Sequence, residues 1–175
     1  MRLGLGLLAG AFLLMPPPAS AQESFSRAVG GAGGRPFTLR CPANTHLTGL
    51  SSLQGAYINF IAPICDGQVQ HGAGGRGERR DASCPSGMYF STMIVQTLRS
   101  DNRLVKAVKM LCGNDRREVG EAVLRSPGPY SATFYFFGHS SPYPVYATGC
   151  DHGRAIGLHG RSGAAIDALG LICEK

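Results

Sequence analysis

The chain has almost no helical periodicity. Apolar residues seldom recur at i, i+3, i+4 and i+7, and 25 Gly and 11 Pro break the sequence into short runs. This excludes a bundle or any long amphipathic helix. Beyond the N-terminal stretch no apolar run has the length of a bilayer-crossing helix. There is no Cys-x-x-Cys and no paired Cys/His spacing, so a zinc cluster has no ordered ligand set. No Gly-x-Ser-x-Gly string marks a hydrolase nucleophile elbow, and no Gly-rich loop is followed by Lys-Ser/Thr, which excludes a phosphate-cradling P-loop. No pair of carboxylates stands out for acid–base work on a glycosidic bond. Charge is scarce as well, at 16% of residues with a formal net charge of +6. The basic residues are scattered. Their small clusters, Arg76-Gly77-Glu78-Arg79-Arg80 and Arg116-Arg117, have acids in or beside them and read as solvated loops, not as a nucleic-acid face.

What is present begins with a processing signal. Arg2 supplies a basic start, Leu3 to Met15 an apolar stretch and Pro16-Pro17-Pro18 a break. Ala19-Ser20-Ala21 is then a small-x-small cleavage site, so residues 1–21 read as a signal peptide and 22–175 as one exported domain. The expected location is secreted or periplasmic. All six cysteines fall in the exported part, and an oxidising compartment favours disulfides.

Those cysteines close a segment written three times, over about 30–65, 72–112 and 138–173. Counting back from each closing cysteine aligns Tyr57-Ile58-Asn59-Phe60-Ile61-Ala62-Pro63-Ile64 with Leu104-Val105-Lys106-Ala107-Val108-Lys109-Met110-Leu111 and Ala165-Ile166-Asp167-Ala168-Leu169-Gly170-Leu171-Ile172. Within each copy an extended apolar run, a polar centre and a second apolar run describe a β-hairpin, whose ends are neighbours. The pairing predicted is therefore Cys41–Cys65, Cys84–Cys112 and Cys150–Cys173, each tying off one hairpin, at roughly 3 kcal/mol apiece. Strands are expected over 45–53, 57–64, 88–98, 104–111, 131–137, 155–159 and 166–172, with Arg116 to Leu124 as the sole helix candidate. Three repeats too small to hold a core alone imply three antiparallel sheets about a pseudo-threefold axis.

Two Gly-rich loops precede the first two hairpins, Gly30-Gly31-Ala32-Gly33-Gly34 and Gly72-Ala73-Gly74-Gly75. The third hairpin turn reads Gly160-Arg161-Ser162-Gly163-Ala164-Ala165-Ile166-Asp167-Ala168-Leu169-Gly170. Here the chain resembles the jacalin-related lectins, through Gly163-x-x-x-Asp167 and the opening Gly30-Gly31-x-Gly33-Gly34-x-x-Phe37. It is also similar to the vitelline membrane outer layer proteins in having cysteines at the repeat ends. Both resemblances imply an all-β β-prism.

The lectin resemblance implies a metal-independent site for a mannose- or glucose-type glycan. In it Asp167 accepts from two sugar hydroxyls, the amides of Ala164 and Ala165 beyond Gly163 donate, and Gly34 supplies an amide from the other side. A carboxylate suits neighbouring hydroxyls because charge-assisted bonds are the stronger ones. The first repeat carries a departing copy, Gly55-Ala56-Tyr57-Ile58-Asn59 opposite Gly75, with an amide where the carboxylate belongs. The middle repeat puts Asn102 and Lys106 at the Gly and Asp positions and should be inactive. Expected partners are glycans or a cell-surface polysaccharide, without cofactor or metal and without nucleic acid, and avidity would call for a homo-oligomer. An enzyme is not expected. The alternative is a structural or protective extracellular β-prism without sugar binding, in which Asp167 bonds backbone amides and holds the turn.

Overall fold

A computed structural model describes residues 22–98, 104–113, 133–138, 145–151 and 154–174. The segment 1–21 read as a signal peptide, the helix candidate at 116–124, Asn102 and the turn at 99–101 lie outside these residues. In chain order the strands are β1 (Glu23–Phe25), β2 (Val29–Gly30), β3 (Arg35–Arg40), β4 (Leu47–Gln54), β5 (Ile58–Cys65), β6 (Gln68–Val69) and β7 (Ala73–Gly74). They continue as β8 (Glu78–Ser83), β9 (Tyr89–Thr97), β10 (Val105–Gly113), β11 (Thr133–Gly138), β12 (Val145–Gly149), β13 (Ala155–Ser162) and β14 (Ile166–Glu174).

Three antiparallel sheets result, each centred on one predicted hairpin. The first-repeat hairpin β4–β5 carries β8 on one side and β6 and β7 on the other. The middle hairpin β9–β10 lies between β12 and β11. The third hairpin β13–β14 takes its flanks from the opposite end of the chain, β3 beside β13 and β1 and β2 beside β14. This last pairing brings the first Gly-rich loop, between β2 and β3, to the turn of the third hairpin.

All three hairpins turn one apolar face inward. Leu50, Ile58, Ile61, Phe90, Met93, Val95, Val108, Met110, Leu158, Leu169 and Leu171 are among the residues of one shared buried cluster. Burying a leucine- or valine-sized side chain is worth about 1.5–3 kcal/mol. No sheet has enough such surface alone, so the three stand or fall together.

The disulfides form as paired in the sequence reading, with Cα–Cα separations of 5.5, 5.5 and 5.6 Å. Each does more than tie off its hairpin. Cys41 extends β3, its amide donating to Ile156 O at 2.8 Å, so Cys41–Cys65 joins the third-repeat sheet to the first-repeat sheet. Cys84 follows β8 and joins the first to the middle sheet, while Cys150 follows β12 and joins the middle to the third. The three bonds make a closed ring of inter-sheet staples at the end of the molecule opposite the hairpin turns.

The flanking strands β1, β2, β3, β6, β7, β8 and β12 were not among the expected strands, and they share a physical reason. They are short or polar, and β8 is exposed at five of its six positions. Charged residues there keep a sheet edge from recruiting another chain. The expected solvated loop at 76–80 is thus a loop only to Gly77; Glu78, Arg79 and Arg80 belong to an exposed strand.

Candidate functional site

The third turn is short and regular. Gly163 N donates to Ala165 O at 2.9 Å, and a register shift between Arg161 and Ser162 precedes it. The first-repeat turn is built identically, with Gly55 N on Tyr57 O at 3.0 Å and a shift between Leu53 and Gln54.

Asp167 lies on β14 two residues past the turn, 9% exposed. Its backbone is clamped by the Gly-rich loop, Gly31 N donating to its carbonyl at 2.8 Å. Its side chain stands against the same loop: a Cβ on Gly33 would collide with Oδ1, and one on Gly34 with Oδ2 and the Ser162 carbonyl. Gly34 also holds φ = 58°, a left-handed conformation that glycine adopts without strain. The glycines are needed because loop backbone and carboxylate approach where no side chain fits.

The loop is tied down by a residue whose role the sequence reading missed. Arg161 Nε donates to Gly33 O at 2.7 Å and its Nη2 to Gly34 O at 2.8 Å. One guanidinium thus holds two successive carbonyls, turning the Gly33 and Gly34 peptides to a fixed angle. The signal was there in Gly160-Arg161-Ser162-Gly163, since a planar fork suits two adjacent acceptors as an ammonium does not.

Among the described residues no group donates a hydrogen bond to the Asp167 carboxylate, and its oxygens retain solvent contact. Nor do the amides of Gly34, Ala164 or Ala165 donate to any described group. Gly163 and Ala164 are exposed and Ala165 is partly so. The structure therefore gathers a carboxylate acceptor and free amide donors on a rigid two-sided frame. That arrangement can hold a polyhydroxyl ligand, and it is unlike a turn-holding aspartate, which would spend its oxygens on backbone amides.

The fold is the β-prism of the jacalin-related lectins. Three structures with this β-prism measure the likeness. The Malaysian banana lectin matches at TM-score 0.59 and 19% identity, over 88% of this chain and 98% of that one. A mannose-specific jacalin-related lectin from Morus nigra, in complex with mannose, matches at 0.59 and 14%, over 93% and 100%. A lamprey immune protein matches at 0.62 and 17%, over 92% of this chain and 46% of its own length. No protein-family model and no curated protein matches the chain. The vitelline membrane likeness rests on the cysteine positions alone.

The first-repeat copy of the β-prism site is put together differently. Gly75 N donates to Asn59 O at 2.7 Å, the place of Gly31 and not of Gly34. The counterpart of Gly34 is Gly77, which packs on Gln54 as Gly34 packs on Ser162. Gly75 instead stands against Ala164 O, at the edge of the third turn. Asn59 Nδ2 donates to Arg76 O at 2.8 Å, so this amide serves the fold. Lys106, from the middle repeat, donates to Ala56 O at 3.2 Å and lies 5.6 Å from the centre of the Tyr57 ring. Protein groups thus engage the second candidate site from two directions. Among the described residues no three His, Cys, Asp or Glu side chains gather as a metal-holding group, and no helix is long and apolar enough to cross a membrane.

Proposed function

We propose that this protein is a secreted, metal-independent carbohydrate-binding protein of the jacalin type, with one working site. Asp167 accepts from two hydroxyls of a mannose- or glucose-type sugar. The amides of Ala164 and Ala165 donate to its ring and hydroxyl oxygens, and Gly34 donates from the facing loop. The observation that carries this reading is the Asp167 carboxylate, largely buried yet served by no described donor. Its oxygens keep solvent contact, so sugar hydroxyls can take the place of water there without displacing a described protein partner. The ring of disulfides suits an extracellular setting, where the six thiols would oxidise. A purely structural β-prism accounts for that ring but assigns no work to Asp167.

The test is a glycan-array screen of the oxidised protein beside Asp167→Ala, with melting temperatures for both. Sugar binding by the native protein, abolished in a variant that melts at the same temperature, is expected. A folded native protein that binds no glycan would leave the structural role in its place.

A further inference from the structure

The first-repeat turn stands beside the proposed sugar site, and its loop brings an arginine there. Gly75 packs against the Ala164 carbonyl, so the next residue, Arg76, flanks the third turn from the side of the first-repeat sheet. The Asn59 amide fixes the Arg76 carbonyl at 2.8 Å, which holds the backbone at that point. On the other side Arg35 follows Gly34 directly and pairs in register with Ser162, the residue before Gly163. Both arginines are exposed, and neither belongs to an ion pair among the described residues. The acids nearest in sequence are already engaged: Asp81 with Arg79 at 2.9 Å, and Glu78 with Arg80 at 3.9 Å. The backbone thus sets an arginine on each side of the third turn, neither ion-paired with a described residue, beside the Asp167 carboxylate.

We propose that the site takes an acidic glycan, one in which a neutral hexose carries or adjoins an anionic group. This rests on the proposed sugar site at Asp167. The hexose hydroxyls seat on Asp167, which would repel an anion, and the anionic group lies outward against Arg76 or Arg35. A guanidinium matches a carboxylate, phosphate or sulfate oxygen pair by two parallel hydrogen bonds. Asn59 then has a reason to differ from Asp167: its donor positions Arg76, which a carboxylate at that position could not do.

The experiment compares two disaccharides that differ only at one carbon, glucosyl-mannose and glucuronosyl-mannose, by titration calorimetry on the oxidised protein. The acidic disaccharide should bind about tenfold tighter at low salt, the worth of one charge-assisted contact, and the advantage should shrink at high salt. Arg76→Gln or Arg35→Gln should remove that advantage while leaving glucosyl-mannose unchanged. Arg40→Gln, which drops the same charge at the far end of β3, should retain it. Asp167→Ala should lose both ligands. Equal affinity for the two disaccharides, still dependent on Asp167, overturns the acidic preference and leaves the sugar site standing. Acidic binding that survives Asp167→Ala overturns it too, revealing a general polyanion surface. Failure of the folded protein to bind either sugar removes the sugar site and this inference together.

Discussion

Two hairpin turns of this β-prism share a backbone and diverge in use. Gly163-Ala164-Ala165-Ile166-Asp167 and Gly55-Ala56-Tyr57-Ile58-Asn59 close with the same hydrogen bond and the same register shift. In both, a glycine of the facing loop donates to the carbonyl of the fifth residue. Yet among the described residues no donor reaches the Asp167 carboxylate, while Asn59 spends its amide on Arg76 O. The loop facing Asp167 runs from Gly30 to Gly34 and is held by Arg161; the loop facing Asn59 is one residue shorter, from Gly74 to Gly77. The first-repeat sheet has Leu53 where the third has Arg161, so nothing there can fork onto two carbonyls. A repeated fold therefore supplies the same frame twice, and the two turns differ in the donors and acceptors that the described residues leave unspent.

The sharpest way to break the contrast is Asp167→Asn, which writes the first-repeat residue into the third turn. Loss of the charge-assisted acceptor should weaken sugar binding roughly a hundredfold. Calorimetry checks this, and an unchanged affinity would show that the carboxylate is not the sugar's partner. Next in size is Arg161→Lys. An ammonium cannot span the Gly33 and Gly34 carbonyls together, so affinity should drop about tenfold although the charge is kept. Full rescue by lysine would reduce Arg161 to a point charge.

The reverse exchange, Asn59→Asp, should not create a second site. It removes a donor and sets a carboxylate against the Arg76 carbonyl, costing about 1 kcal/mol of stability in denaturant titration. A gain of a second saccharide equivalent would instead make Asn59 the sole defect of that turn.

The smallest effect expected is on pH. On the outer face of the third-repeat sheet His159 pairs with Thr38, while the first-repeat sheet has Ser51 facing Asp81. Burial pushes the His159 imidazole below its ordinary value of 6.5, against a hydrogen bond to Ser26 O that favours the charged form. The unfolded chain therefore takes the proton first, and stability is full above pH 6.5 and declines as pH falls below it. Asp81 is held below its ordinary 3.8 by Arg79 and Ser51, so its contribution persists above that value and is lost in more acid solution. A melting-temperature series from pH 8 to 5 should show a slope that His159→Gln removes. An identical slope in that variant would assign it to another group.

Much of this was legible in the residues. The threefold repeat, the all-β class and the three cysteine pairings follow from spacing and composition, because a hairpin is a local object whose ends meet. The long apolar runs of β4, β5, β9, β10, β13 and β14 were readable for the same reason. Strands β3 and β8 were not, since an exposed edge strand such as Glu78-Arg79-Arg80-Asp81 has no apolar alternation to show. At the site, Gly34, Gly163 and Asp167 were expected from a resemblance and lie together in the structure, whereas Gly77, not Gly75, takes the place of Gly34 in the first repeat. Loop length sets which glycine lies where, and a one-residue deletion leaves no mark in a glycine-rich string.

By itself, then, the sequence determined three hairpins, their disulfide partners and a carboxylate after a glycine turn, all features governed by neighbours along the chain. Only the tertiary structure decided that each disulfide joins two sheets, that Arg161 clamps the loop more than 120 residues before it, and that Asn59 is spent on Arg76. Those depend on which sheet edges meet, and meeting is set by packing three apolar faces into one core.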